Sequence, residues 1–92
     1  MIGLGSRLRR KEDVLAQQVE DKEILLRLGS GEYYALDAVG RRIWDLCDGT
    51  RSVGEIVATV GEEYDAPQDI IQADALELLQ ELLDEKLVHL DG

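Results

Sequence analysis

Two periodicities divide this chain. Residues 14–20, 23–28 and 32–36 are short, rich in branched or aromatic side chains and bounded by turn formers, which marks strands. Residues 38–85 instead repeat apolar positions at helical spacing. The strand segments are separated by Asp21-Lys22 and by Gly29-Ser30-Gly31, which predicts an antiparallel meander. If the glycine turn sets Leu28 opposite Glu32, then Leu26 faces Tyr34 and Ile24 faces Leu36. A two-residue turn at Asp21-Lys22 adds Val19 and Leu15 to that same face. This apolar face is expected to meet the core, with Arg27 beside Tyr33 on the opposite one. Asp-Lys is not a favoured tight turn, so the first pairing is the less constrained of the two.

Asp37 is placed to cap a helix over residues 38–48, where Val39, Ile43, Leu46 and Cys47 share a face and Asp48-Gly49 supplies the stop. Ser52-Val53-Gly54-Glu55 has the S-x-x-E form of a capping box, in which Ser52 and Glu55 satisfy each other's free backbone donors. Val53, Ile56, Val57, Val60 and Tyr64 follow on one stripe. Pro67 suits the first turn of a third helix that runs to about Glu85, and Leu87-Val88 closes the chain. The predicted fold class is α+β, a three-stranded antiparallel sheet followed by three helices.

The third helix has more apolar surface than one core requires. With Ile71 set to zero at 100° per residue, Leu78, Leu82, Ala75 and Leu79 fall between about −20° and +80°, the arc of a helix packed on one side. Leu83 and Leu76 lie near 120° and 140°, bordered by Gln72 at about 100° and Gln80 at about 180°. Asp74, Glu77, Glu81 and Glu85 occupy the far side, which reads as a solvated face. The extra strip either widens the core or faces a partner. The third strand of a meander has an unpaired edge, and such an edge is a template for an incoming peptide. Leu76 and Leu83 would then form one wall of a groove and the backbone of Glu32, Tyr33, Tyr34, Ala35 and Leu36 the other.

Charge narrows the partner. Ten Lys and Arg stand against twenty Asp and Glu, a net charge of −10, and Arg7, Arg9, Arg10 and Lys11 place four of the cations in the first eleven residues. The acidic remainder repels phosphate, so nucleic acid is not expected and a basic peptide or protein surface is. Residues 1–12 carry two glycines and lack the apolar run of a secretory signal, so they are expected to form a loose tail before a domain at 13–92. Ninety-two residues suit one domain. No segment approaches the roughly 20 apolar residues that cross a bilayer, so no membrane partner is expected, and the single Cys47 fits a cytoplasmic chain.

The residues offer no catalytic cluster. Cys47 lies on an apolar stripe without a nearby histidine, which reads as a buried structural thiol. His89 is the single histidine, so a metal site of the usual His and Cys spacing is not expected. The pairs Glu62-Glu63 and Asp84-Glu85 sit where acids solvate helices, and the scattered glycines form no phosphate-binding fingerprint. No cofactor is expected. Trp44 is expected to pack between helices, and Arg41-Arg42 to form a solvated face, with docking of a processing enzyme as the sharper alternative.

The segment YYALDAVGRRIWDLCDGTRSVGEIV, followed by EEYD, by D-x-x-x-L-L-x-x-L from Asp74 to Leu82 and by Leu87-Val88, resembles the PqqD-like RiPP recognition elements over residues 14–90. The resemblance implies a winged-helix-like domain that binds the leader of a ribosomally made precursor peptide as a strand beside its third strand and against its third helix. It also implies delivery of that precursor to a processing enzyme. The run into L-D-A-V-G-x-R-I-W is most similar to the discrete leader-binding proteins of lasso-peptide systems, whose partner is a cysteine leader peptidase. Leu46-Cys47-Asp48-Gly49 is also similar to PqqD proper, which serves a radical enzyme in cofactor biosynthesis. By this resemblance the backbone of residues 33–36 meets the peptide, and Leu76, Leu79, Gln80 and Leu83 line the groove. Asp37 stands where many relatives have asparagine, and either residue caps a helix. Two alternatives use the same elements: a winged-helix DNA-binding regulator, against which the charge argues, and a module that pairs third strands across a two-fold axis.

Overall fold

The computed structural model describes residues 2–91. Its elements are β1 (Arg7–Arg10), β2 (Val14–Val19), β3 (Lys22–Arg27), β4 (Tyr33–Leu36), α1 (Ala38–Asp45), β5 (Asp48–Ser52), α2 (Val53–Tyr64), α3 (Gln68–Asp84) and β6 (Val88–Leu90). The expected meander and the three helices after it are present, and the fold class is α+β. The strands form two antiparallel sheets, ordered β2-β3-β4 and β5-β1-β6.

The second sheet overturns the expected loose tail. Residues 1–12 include β1, the middle strand of that sheet, which pairs Leu8 with Leu90 and Arg7 with Ser52. Leu8 is fully buried, and Arg10 Nη1 donates to the carbonyls of Trp44 (3.2 Å) and Asp45 (2.7 Å) at the end of α1. Trp44 O also accepts from Cys47 N at 3.1 Å, and a cation at these last-turn carbonyls suits the helix dipole. Arg9 reaches Asp91 at 3.1 Å. The domain boundary expected at residue 13 therefore has no counterpart among the described residues; Met1 and Gly92, the outermost parts of that expectation, lie outside them.

The helix caps are as expected. The Asp37 side chain accepts from Gly40 N at 2.8 Å. Ser52 N donates to Glu55 Oε1 at 2.9 Å while Glu55 N donates to Ser52 Oγ at 3.2 Å, completing the capping box. A cap of this kind contributes about 1 kcal/mol. Helix α1 stops at Asp45, three residues short of the expected end, because the chain turns into β5 to pair with β1. Cys47 and Trp44 are buried as expected. Burial pushes the Cys47 thiol up to about 12, which keeps it protonated and inert. Arg42 and Arg41 are engaged rather than free, the first with Glu63 at 2.8 Å and the second with Glu23 of β3 at 3.4 Å.

The meander's register differs from the expected one. Leu26 lies opposite Tyr33, Leu25 opposite Tyr34 and Glu23 opposite Leu36. Arg27 N donates to Glu32 O, so the loop between them holds four residues, with Gly31 at φ 74°. That extra residue shifts the pairing by one and turns every β3 side chain to the other face. The first turn falls at Glu20-Asp21, with Val19 opposite Lys22 and Leu15 opposite Leu26. Leu15, Val19, Ile24 and Leu26 do gather on one face, but it is the solvent face. The core face carries Leu25 and Leu36, both buried, and half-buried Val14 and Tyr34. These meet Ile43, Trp44, Ile56, Val60, Leu79, Leu82 and Val88 in one core, where each fully buried side chain contributes roughly 1.5–3 kcal/mol.

Candidate functional site

β4 pairs with β3 on one side and with no described strand on the other. Since Glu32 O accepts from Arg27 N, the bonded pairs fall at Glu32, Tyr34 and Leu36. The alternation of an antiparallel ladder then turns the N–H and C=O groups of Tyr33 and Ala35 toward the open edge. Beside that edge lies a groove of about 430 Å³. Its β4 border is Tyr34, Ala35 and Leu36; α1 contributes Val39 and Ile43, and α3 contributes Ile70, Ile71, Asp74 and Leu78. A smaller hollow continues it past Tyr33 and Tyr34 to Arg27, Glu85 and Leu87. The other open border, β2, has a hollow walled by Arg10–Glu12 and α1 instead of by α3. The long apolar and acidic wall thus belongs to β4 alone.

This wall is the flank of α3 opposite to the one expected. Ile70, Asp74, Leu78, Glu81 and Glu85 lie between about −20° and −100° on the wheel centred on Ile71. The Tyr34 hydroxyl donates to Glu81 Oε2, joining β4 to α3. That hydrogen bond, partial burial and the charges of Glu81, Glu85 and Glu77 push the Tyr34 phenol from 10.0 up to about 12. The stabilisation held in the raised value is full below pH 10 and is lost as pH rises through about 12. Ultraviolet difference titration should therefore show one of the three tyrosines ionising above the usual range, and Glu81→Gln should bring it down. An unchanged titration in that variant would place the partner of Tyr34 elsewhere.

Of the expected site residues, Glu32, Tyr33, Tyr34, Ala35 and Leu36 are brought to the groove or its continuation. The helix positions are not. Leu79 is fully buried in the core, and half-buried Leu76 and Leu83 pack against it. Gln80 accepts from Ile2 N at 3.2 Å and donates to Asp84, on the flank that the start of the chain occupies. Gln72 is exposed outside the groove. The extra apolar strip thus serves the core and the segment before β1, whose participation local periodicity does not reveal. Ile70 was the available signal: an apolar residue about 80° outside the core arc, among acids, is unexplained by packing. It is 53% exposed at the mouth of the groove.

No helix among the described residues is long and apolar enough to cross a membrane, and no group of His, Cys, Asp or Glu side chains among them is arranged to hold a metal ion. A family model described as coenzyme PQQ synthesis protein D (PqqD) matches residues 23–88. The chain is similar to a PqqA binding protein of Gluconobacter oxydans (strain 621H), 38% identical over 56 residues, which are 61% of this chain and 58% of that protein. It thus spans less than two thirds of the length of that relative. Among solved structures it is similar to TbiB1 in complex with the TbiA(beta) leader peptide, with a TM-score of 0.76 and 32% identity over 91% of this chain and 95% of that one. It is also similar to the PqqD truncation of Methylobacterium extorquens PqqCD, a stand-alone RiPP recognition element, with a TM-score of 0.81 and 26% identity over 97% and 95% of the two chains.

Proposed function

The chain belongs to the PqqD family, and from that membership we propose that it is a non-catalytic adaptor for the leader segment of a ribosomally synthesised precursor peptide. The leader adds as a strand beside β4, and the adaptor presents it in the cytoplasm to a processing enzyme, the cysteine leader peptidase of a lasso-peptide pathway. The observation that carries this reading is the unpaired edge of β4 facing a groove walled by α3. Backbone groups of Tyr33 and Ala35 fix the register of the guest, and apolar anchors against Leu36, Ile43, Ile71 and Leu78 supply most of the affinity. Glu77, Glu81 and Glu85 favour a leader with a basic side chain toward the Tyr34 end. The same acidic wall, on a chain of net charge −10, fits no phosphate backbone.

The similarity to TbiB1, solved with a leader peptide, over 91% of this chain supports leader binding, and the lasso assignment rests on the resemblance of the L-D-A-V-G-x-R-I-W run to the leader-binding proteins of lasso-peptide systems. The similarity to a PqqA binding protein favours a second reading, presentation of a precursor to a radical enzyme in cofactor biosynthesis. The adjacent genes separate the two: a transglutaminase-like peptidase with an asparagine-synthetase-like enzyme for the first, a radical enzyme for the second. The adaptor itself is tested by titrating the full chain with the synthetic leader of the neighbouring precursor while recording amide spectra. Saturable binding that perturbs residues 33–36 and 70–78 is expected; no saturable binding to any neighbouring precursor overturns the proposal.

A further inference from the structure

One buried side-chain donor among the described residues has no acceptor, and it lies beside the peptide groove. Arg27 follows Glu23 and Leu25 on the inner face of β3, because strand side chains alternate. Its Nη1 stands 4.0 Å from the Glu32 carboxylate, a loose ion pair with an exposed partner. Its Nε is buried, and no group of the described residues accepts from it. Buried polar groups in native proteins are almost always paired, so a lone buried donor calls for a physical reason. The space beside Arg27 is the small hollow that continues the groove, about 10 Å³ between Glu32, Tyr33, Tyr34, Glu85 and Leu87. Room of that order takes one oxygen atom and no ring.

Charge decides what that oxygen belongs to. Glu81 is engaged by the Tyr34 hydroxyl, which leaves the carboxylates of Glu32 and Glu85 facing the single cation of Arg27. A guest carboxylate would meet surplus negative charge, and a guest ammonium has no lone pair to accept from Nε. An amide can do both but exceeds the space. A hydroxyl is small and neutral, accepts from Nε and donates to Glu32 or Glu85. We infer that Arg27 is a specificity-determining residue of the leader site, and that its hollow is a subsite for one short alcohol, serine or threonine, on the guest strand. This rests on the adaptor reading above. Directly opposite strand residues share a face, so Arg27, Glu32 and the guest residue beside Glu32 form one row on the inner side. Two strand spacings of about 4.8 Å separate the ends of that row, a span that an arginine and a short alcohol bridge together. One row beyond the basic side chain favoured beside Tyr34, the requirement thus changes from charge to a neutral hydroxyl.

The test titrates the full chain with the synthetic leader of the neighbouring precursor, and with versions in which each serine is replaced by alanine and each threonine by valine. One replacement is expected to weaken binding about tenfold in the wild-type chain and by no more than about twofold in Arg27→Lys, which keeps the charge and moves the donor. Aspartate at that same leader position is expected to bind no better than alanine. On the wild-type chain, which needs no variant to fold, the Arg27 Hε resonance should shift with the intact leader and stay in place with the replaced one. A leader without such an alcohol, losses that simply add in the Arg27→Lys chain, an unmoved Hε, or an aspartate that tightens binding overturns the subsite and leaves the adaptor reading standing. Absence of saturable binding by the wild-type chain to any neighbouring leader would remove the adaptor reading itself, and the subsite with it.

Discussion

Ala35→Pro is expected to weaken leader binding by about tenfold or more while leaving the domain folded, because proline is tolerated on an edge strand whose N–H faces outward but cannot donate to a guest strand. The Ala35 N–H points to the open border, since Tyr34 and Leu36 hold the bonded positions of the β3–β4 ladder. Its side chain points to solvent, so the ring meets no core atom there. One lost hydrogen bond contributes about 0.5–1.5 kcal/mol, and the ring's bulk at the strand border adds exclusion of the incoming backbone. Ala35→Ser keeps the donor and serves as the control. Fluorescence anisotropy with a labelled leader, beside circular dichroism of each variant, reads both quantities. Equal affinities for wild type and the proline variant would mean that the peptide binds without joining the sheet.

The second large effect is on stability. Leu8→Ala removes a fully buried side chain from the middle strand of β5-β1-β6, and such truncations cost about 2–5 kcal/mol. For a domain of this size each kilocalorie lowers the melting temperature by roughly 4–8 °C, so a fall on the order of 10 °C or more is expected in a thermal scan. Arg9→Ala, which removes an exposed ion pair with Asp91, should change it little. A melting temperature unmoved by Leu8→Ala would return residues 1–12 to the status of a tail.

What was legible in the sequence was local. Asp37, the Ser52–Glu55 box and Pro67 announce helix starts through chemistry confined to three or four residues; α1 and α2 begin where they are placed, and α3 begins one residue later, with Pro67 at its N-cap and not in its first turn. The β1 strand announces nothing: Arg-Leu-Arg-Arg shows one apolar residue, and its partners are some 40 and 80 positions away at β5 and β6. The meander was legible as three strands but not in register, because a three-residue loop after Leu28 and a four-residue loop after Arg27 differ by a single residue that inverts the faces. Composition alone points the sheet's apolar face at the core. In this protein the less apolar face, with Glu23 held by Arg41, is the inner one. The groove was half legible. Topology gives its strand border, whereas periodicity offers the leucine strip as its helix wall and Ile70, Asp74 and Leu78 form it.

The pairing of Leu8 with Leu90 has a consequence for how the protein is made. β1 is synthesised some 80 residues ahead of β6, its partner, so nascent chains lacking residues 88–90 hold an unclosed core. Contacts this distant in sequence slow folding and expose apolar surface during synthesis. Translation products that stop short of β6 should therefore be cleared by proteolysis and never compete for cargo.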